Sequence, residues 1–372
     1  MKTRWSRIPL MFAAAAISLA ISGYAFFQHP LFGQHPEGNR LSLVEQSTNY
    51  RNGIFHNQTD SPLHTSDSSE LSILIDSLVS ERGQPRPEGV IPSTKTDLKA
   101  LDVNEDMVIW LGHSSYFVQL DGKRILLDPV FSANAAPIPM ANRAFAGTSI
   151  YTAEDMPDID FLLITHDHYD HLDYPTITAL QSKVGQVVTG LGVGTHFEAW
   201  GYPTDRISEL DWYDAVSLEG LSIYATPARH FSGRTFDRNR SLWVGFALTT
   251  VSSRIFFSGD SGYAQHFTEV GNRYGPFNWV ALDAGQYDPR WANVHMNPEE
   301  AAQAAEDLRA AAFTPGHVGR FSLAPHDWND PFIRITTASK GRSYELWTPT
   351  IGSPIHLDGR GQKYAPWWET TN

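Results

Sequence analysis

The residues with the clearest chemistry form one short cluster that directly follows an apolar run. The run Phe-Leu-Leu-Ile ends at position 164, and the chain continues as Thr-His-Asp-His-Tyr-Asp-His. On extended backbone His166 and His168 point the same way, because side chains alternate with period two. The chain must then turn, which brings Asp170 and His171 to a neighbouring point. This spacing predicts ligands for two metal ions a few ångströms apart; the alternative is a polar, histidine-rich surface loop.

One loop does not complete a metal site, so further ligands are expected after other strands. His230 follows the end of one apolar run, and Asp260 lies in a turn of small residues after another. His326 follows Ala324-Pro325. Each residue taken alone would be interpreted as a surface or capping residue. Their recurrence at predicted strand ends, after the first cluster, makes them candidate ligands.

Composition narrows the classes of chemistry. The 372 residues include 28 Lys+Arg, 41 Asp+Glu and no Cys, with a formal net charge of −13. The acidic balance argues against a nucleic-acid partner, because phosphate contacts need clustered basic residues. The lack of cysteine excludes disulfides, thiolate nucleophiles and sulfur ligands. Any metal must be held by His, Asp and Glu, and the chain has 15 His.

The elements that must position these residues are short strands with helices between them. The predicted strands cover residues 107–111, 116–120, 124–127, 161–164, 186–188, 221–225, 243–248, 255–257 and 279–282. The predicted helices cover residues 176–180, 195–200 and 299–312. The last helix has Asn297 as cap, Pro298 in the first turn and Glu300 placed for a capping box. This alternation predicts an α/β (α+β) layered domain.

The chain divides into three predicted segments. In residues 1–27, basic residues precede an uncharged apolar stretch, which is typical of a signal peptide or an N-terminal membrane anchor. Residues 28–99 are predicted to be a polar lead-in arm with one amphipathic helix at 71–79. Residues 100–372 are predicted to be the catalytic domain. The expected location is therefore the cell envelope, either periplasmic or membrane-anchored and facing away from the cytoplasm.

The motifs together resemble the metallo-β-lactamase superfamily, and within it hydrolases similar to N-acylphosphatidylethanolamine phospholipase D and its bacterial relatives. The resemblance spans about residues 100–335 and is carried by the ligand motif together with Trp110-Leu111-Gly112-His113-Ser114-Ser115, Leu127-Asp128-Pro129, Thr226-Pro227-Ala228-Arg229-His230 and His295-Met296-Asn297-Pro298. It implies a four-layer αββα sandwich with the metals at one edge of two packed sheets.

The resemblance also implies roles for individual residues. One zinc would be held by His166, His168 and His230, the other by Asp170, His171 and His326, with Asp260 bridging them. Asp170, Asp128 and His295 are the candidate catalytic residues, and the last two are expected either to orient ligands or to face the substrate. Two Zn²⁺ ions are the expected cofactors, and imidazole and carboxylate ligands also accept iron or manganese.

The chain departs from the family pattern at one segment. Where many relatives have His-Trp-Gly-Thr-Phe, this chain has His-Val-Gly-Arg-Phe over residues 317–321. Arg320 is therefore expected at the rim of the pocket. His317 ranks behind His326 as a ligand, because His326 is followed by the family-like Trp328.

The expected reaction is hydrolysis without a protein nucleophile. Two zinc ions that share a water lower its pKa from about 15.7 toward ~7, so hydroxide is available to attack a phosphodiester. The resemblance implies an N-acylphosphatidylethanolamine-type phospholipid as substrate. Two alternatives are a lactonase or other ester or amide hydrolase, and a non-hydrolytic di-metal redox or binding protein. The aromatic C-terminus, Trp367-Trp368, is expected to pack on the domain, with membrane contact as the alternative.

Overall fold

In a computed structural model the chain forms two seven-stranded sheets with helices on their outer faces. The structure describes residues 7–65, 83–138, 140–218, 220–359 and 362–371. The amphipathic helix predicted at 71–79 lies outside these ranges.

The described residues of the N-terminal part include two helices and a small hairpin. Their bounds are α1 (Arg7–Phe27), α2 (Gly38–Val44), β1 (Tyr50–Arg51) and β2 (Ile54–Phe55). Among the described helices, none is both long and apolar enough to cross a membrane. The arm is tied to the domain by Arg40, which donates hydrogen bonds to Glu209 at 2.6 Å and to Glu198 at 2.9 Å.

The first sheet has the order β16-β3-β4-β5-β6-β7-β8. Its strands are β3 (Met107–Gly112), β4 (Ser115–Leu120), β5 (Lys123–Leu127), β6 (Ile159–Ile164), β7 (Val184–Gly190), β8 (Ile207–Leu210) and β16 (Pro354–His356). β3 to β5 form an antiparallel meander, with Asp121-Gly122 at the second turn, and β5 to β8 are parallel. β3, β5 and β6 therefore run in the same direction.

The second sheet has the order β15-β14-β13-β12-β11-β10-β9. Its strands are β9 (Ala215–Leu218), β10 (Leu221–Thr226), β11 (Gly245–Thr249), β12 (Arg254–Phe257), β13 (Trp279–Asp283), β14 (Ala312–Gly316) and β15 (Glu345–Leu346). β10 to β12 are antiparallel and β12 to β15 are parallel. β10, β12, β13 and β14 therefore share one direction.

Helices complete the outer layers. They are α3 (Tyr174–Leu180) and α4 (Gly194–Ala199) on the first sheet, and α5 (His266–Tyr274), α6 (Pro298–Asp307) and α7 (Asp330–Ala338) on the second. Short 3₁₀ turns lie at Pro30–Phe32, Ala153–Asp155, Gln181–Lys183, Thr204–Arg206, Pro289–Trp291 and Trp367–Glu369. α6 starts with the predicted capping box between Asn297 and Glu300 but ends five residues earlier than predicted.

The core has three layers of buried apolar contacts. Trp110 and Tyr116 of the first sheet lie with Phe257 and Trp279 of the second in the cluster between the sheets. A second cluster joins the first sheet to α3 and α4, and a third joins the second sheet to α5, α6 and α7. This arrangement confirms the predicted αββα sandwich. The C-terminal Trp367 and Trp368 are buried against Phe332, so they pack on the domain.

Candidate metal centre

The candidate site lies where the C-terminal ends of several strands meet. β3, β5 and β6 share a direction, so the residues that follow them emerge at one edge of the first sheet. The same argument places the residues after β10, β12, β13 and β14 at one edge of the second sheet. Loops from both sheets therefore converge at one rim of the sandwich, which is where functional loops on a rigid scaffold are expected.

The first ligand group consists of His166, His168, His230 and Asp260, whose donor atoms all lie within 4.8 Å of one another. Nδ1 of His168 is 2.9 Å from Nε2 of His166 and 3.3 Å from Nε2 of His230. Oδ2 of Asp260 is 3.8 Å from Nε2 of His166 and 3.7 Å from Nε2 of His230. Ligands about 2.1 Å from a tetrahedral zinc lie ~3.4 Å apart, so this spacing suits such an ion.

The second ligand group consists of His113, Asp170, His171 and His317, again within 4.8 Å of one another. Oδ2 of Asp170 is 2.9 Å from Nε2 of His113, 3.6 Å from Nε2 of His171 and 4.0 Å from Nε2 of His317. All three imidazoles are buried. This group offers a second cation site beside the first.

Asp260 lies between the two groups. Its Oδ2 is 3.1 Å from Nε2 of His171, and its Oδ1 is 3.1 Å from Nδ1 of His317. Burial opposes ionisation of Asp260, but the imidazoles of His171 and His317 outweigh it and hold the pKa of this carboxyl well below its usual range. The carboxylate is thus placed where a bridging ligand would stand.

The donor atoms fit divalent cations. Nε2 of His171 and Oδ1 of Asp260 are buried, and although each lies 3.1 Å from a polar neighbour, neither makes a hydrogen bond with a described residue. Buried polar atoms without a partner are costly, and a bound cation would satisfy both. Burial, together with the charge of neighbouring imidazoles, holds the pKa of His166 well below its usual value. Burial also holds the pKa of His230 well below its usual value, although the carboxylate of Asp260 acts to raise it. Both are therefore neutral, as metal ligands must be.

The ligand histidines are oriented by hydrogen bonds on their other ring nitrogens. Nδ1 of His171 lies 2.8 Å from Oδ2 of Asp128, and Nδ1 of His230 lies 2.9 Å from the carbonyl oxygen of Val294. Asp128 also accepts hydrogen bonds from the amide and hydroxyl of Thr165, at 2.8 and 2.6 Å. Asp128 is fully buried behind the ligands, so it orients His171 and does not line the pocket.

His295 lines the wall of the pocket above the ligands, and Asp170 lies in its floor. Nδ1 of His295 lies 2.8 Å from Oδ2 of Asp283, the last residue of β13. Burial raises the pKa of Asp283 to about 7, although His295 opposes the rise. Asp283 was not among the predicted site residues; the sequence signal that could have found it is a carboxylate directly after the apolar run 279–282.

The structure does not bring His326 to the ligand groups, and this corrects the expected ligand set. His326 lies ten residues beyond the end of β14, where its Nε2 accepts a hydrogen bond from the amide of Gln286 at 3.1 Å. Its Nδ1 lies 2.8 Å from the carbonyl oxygen of Asp327, and its ring stacks on Tyr287. His317, directly after β14, occupies the expected position instead.

Two further residues differ from expectation. Arg320 is 1% exposed and lies behind the site, where burial lowers its pKa to about 10. Its guanidinium is within hydrogen-bond distance of the carbonyl oxygen of Ser132, so Arg320 does not line the pocket rim. His113, which lies in a family-like segment but is not in the expected ligand set, contributes to the second ligand group. It sits at the turn between β3 and β4 with a left-handed φ of 55°.

A pocket of about 240 Å³ opens above the ligands. Its floor is polar, and its walls are mostly apolar. The floor includes His168, Asp170, His230, Asp260 and His317, and the walls include Leu63, His64, Phe231, Gln286, Trp291, Val294, His295 and Leu323. The pocket therefore suits a substrate with a charged reacting group flanked by apolar groups.

Comparisons with known proteins agree with this geometry. A family model described as a β-lactamase superfamily domain matches residues 123–318. A protein of Mycobacterium tuberculosis is 37% identical over 331 residues, which cover 88% of this chain and 89% of that protein. The N-acyl-phosphatidylethanolamine-hydrolyzing phospholipase D 1 of Caenorhabditis elegans is 31% identical over 237 residues, which cover 59% of this chain and 65% of that protein.

A solved structure shares the fold. Igni18, a metallo hydrolase from the archaeon Ignicoccus hospitalis, superposes with a TM-score of 0.51 at 21% identity, covering 67% of this chain and 97% of that one. The matched family segment contains both ligand groups except His113. The chain belongs to the β-lactamase superfamily and is a metal-dependent hydrolase with the metallo-β-lactamase fold.

Proposed function

We propose that the protein is a dinuclear zinc hydrolase that cleaves a phosphodiester in an N-acylphosphatidylethanolamine-type phospholipid, with phospholipase D regiochemistry. The observation that carries this proposal is the pair of adjacent ligand groups joined by Asp260. The named activity of the Caenorhabditis elegans relative supports the substrate class. The donor set of imidazoles and carboxylates supports zinc, and it also accepts iron or manganese.

The residues that would hold the cations follow from the two groups. One cation would be held by His166, His168, His230 and Asp260, and the other by His113, Asp170, His171 and His317, with Asp260 next to both groups. When bound, the two cations would supply the positive charge that activates water and stabilises negative charge on a phosphoryl oxygen.

The protein's own groups would bind and orient the substrate. His295 lines the pocket with Nδ1 held by Asp283, so its other ring nitrogen is directed away from that carboxylate and is available to a phosphate oxygen. The apolar walls, which include Phe231 and Trp291, would exclude water from around the reacting group. Asp128 would act through His171 as a positioning residue.

The reaction balances as a simple hydrolysis. The oxygen of water bonds to phosphorus, and the bond from phosphorus to the ethanolamine oxygen breaks. The departing oxygen takes up a proton, so the products are a phosphatidate and an N-acylethanolamine. No group of the protein is consumed, which fits a chain without cysteine.

The location of the enzyme belongs to the same proposal. The basic residues followed by an apolar stretch in residues 1–27 support export to the cell envelope, with the segment either cleaved or retained as an anchor. Mass spectrometry of the N-terminal peptide in membrane and soluble fractions tests this. Recovery of the intact, unanchored chain in the cytoplasm would contradict export.

The substrate is tested with a panel of three compounds and a metal analysis. The zinc-loaded protein is assayed on N-acylphosphatidylethanolamine, a simple phosphodiester and an acyl lactone. We expect turnover of the first two, two zinc ions per chain, and loss of both turnover and zinc in His168→Ala. His35→Ala, a substitution of an exposed histidine, is the matched control and should retain both. Turnover of the lactone alone would reject the phosphodiesterase assignment.

A further inference from the structure

One wall of the pocket comes from a part of the chain that precedes the predicted catalytic domain. The sequence pattern of residues 28–99 predicts a polar lead-in arm, yet Leu63 and His64 of this arm line the pocket above the ligands. We call residues 57–65 the strap segment. The segment lies outside the part of the chain that matches the superfamily model, which begins at residue 123.

The strap segment is fixed at its N-terminal end to a ligand. The side chain of Asn57 donates a hydrogen bond to the carbonyl oxygen of His230 at 2.8 Å and accepts one from the amide of His230 at 3.1 Å. The same side-chain oxygen accepts a hydrogen bond from the indole of Trp243 at 3.0 Å. Asn57 therefore joins the strap segment to the backbone of the metal centre.

The strap segment is also fixed at its middle and its C-terminal end. Nε of Arg229 donates to the hydroxyl of Ser61 at 2.8 Å, and the side chain of Asn293 donates to the carbonyl oxygen of Pro62 at 2.8 Å. The amide of Thr65 donates to the carbonyl oxygen of Arg290 at 2.9 Å. Leu63 thus stands between anchored positions, which makes it part of a rigid wall.

The pocket is too small to enclose a whole lipid, so part of a bound lipid must lie against its walls. Its volume of about 240 Å³ is below the ~300–1,000 Å³ of sites that enclose a drug-sized ligand. The pocket can hold a phosphate group and the first atoms on either side of it, and the rest of a lipid must leave along the walls. Leu63 is an apolar side chain on one of those walls.

We propose that Leu63 is a specificity-determining residue that contacts the apolar group next to the reacting phosphate. The superfamily segment supplies the polar floor of the pocket, and the strap segment supplies the selective wall. The proposal deepens the proposed function and rests on it for the identity of the reacting group. The preference of this chain for lipid phosphates over small phosphates would then depend on a segment that the shared domain lacks.

The test measures binding, so that it does not depend on turnover. The zinc-loaded full-length protein is titrated by calorimetry with dihexanoyl phosphatidate and with inorganic phosphate. We expect Leu63→Ala to weaken phosphatidate binding by roughly tenfold, the effect of losing about 1.4 kcal/mol of apolar contact, with phosphate binding unchanged. Leu63→Met, which keeps a similar apolar volume, should bind phosphatidate as tightly as the wild type does. Leu43→Ala, in which an exposed leucine of the arm is replaced, is the matched control.

Each outcome decides the proposal. An unchanged ratio of the two affinities in Leu63→Ala overturns it, as does wild-type protein that binds phosphatidate no better than phosphate. Equal loss of both ligands together with loss of zinc assigns Leu63 a structural role only and also overturns it. If the binding results follow expectation while N-acylphosphatidylethanolamine is not hydrolysed, the wall assignment stands and the proposed function fails.

Discussion

Replacement of Asp128 by asparagine tests whether this buried carboxylate determines which ring nitrogen of His171 carries the proton. The oxygens of Asp128 face three donors, namely Nδ1 of His171 and the amide and hydroxyl of Thr165. Asparagine offers one acceptor oxygen and one NH₂ group. If the oxygen stays on the Thr165 amide, the NH₂ group faces Nδ1 of His171. That nitrogen must then accept, and the ring proton moves to Nε2, which is the atom that faces Asp260.

The expected loss of zinc affinity follows from that tautomer. Loss of a group that orients a metal ligand typically weakens metal binding 10- to 100-fold, or about 1.4 to 2.7 kcal/mol. Competition with a chelator measures zinc affinity, and thermal unfolding of the metal-free protein separates this effect from misfolding. Asp102→Asn, at an exposed turn, is the matched control and should bind zinc like the wild type. Zinc affinity of Asp128→Asn within about threefold of the wild type would refute the reasoning.

Three other predictions concern the second ligand group, the hydrogen bonds of Arg234 and the pH dependence of stability. His317→Ala should reduce bound zinc from two ions to one while His326→Ala retains both, as measured by elemental analysis; the reverse result would restore His326 as the ligand. Arg234→Met should lower the free energy of unfolding by about 3 kcal/mol in urea titrations, because buried Arg234 donates hydrogen bonds to the carbonyl oxygens of Leu31, Asp167 and Leu172; a loss below about 1 kcal/mol would contradict this. Burial lowers the pKa of His266 to about 3, below the ~6.5 of an unfolded histidine. Since the unfolded chain then binds the proton more readily, the free energy of unfolding falls as the pH drops from ~6.5 toward 3, by at most about 1.4 kcal/mol per pH unit. The difference in unfolding free energy between wild type and His266→Gln should therefore narrow on acidification, and a difference that does not vary with pH would be inconsistent with a buried neutral imidazole.

Most of the architecture was predictable because period-two patterning and turn residues are local signals. The apolar run before His166 predicted β6, and Asp121-Gly122 predicted the turn between β4 and β5. The ligand motif on the loop after β6 could be recognised for the same reason, since strand and ligands are contiguous in sequence. Residues that reach the site from elsewhere in the chain were harder to assign.

His317 was ranked behind His326 because of the family-like Trp328, and no local signal reversed that ranking, because the strand before His317 was not predicted. The predicted helix at 299–312 runs through an alanine-rich stretch with no glycine, so nothing in its composition marks an earlier end. In the structure α6 ends at Asp307, and Arg309 adopts a left-handed φ of 55°, a conformation usually taken by glycine. Residues 312–316 form β14, and His317 follows this strand directly. Without that strand, His317 could not be placed at the rim.

The strap segment was missed for a different reason. Its role depends on contacts with residues more than 150 positions away, such as those of Asn57 with His230. Polar composition in residues 28–99 is equally compatible with a solvated linker and with a segment held by hydrogen bonds. Only the three-dimensional structure separates these two interpretations.

The arrangement of the ligands by sheet has a mechanical consequence. The loops of one sheet carry residues 166–171, and the loops of the other carry His230, Asp260 and His317. Bound ions would therefore act as a clasp between the two halves of the molecule, joining them where covalent cross-links are lacking. Chelation should then increase amide hydrogen exchange first in the loops around this clasp, while the strands at the opposite end of the sandwich stay protected.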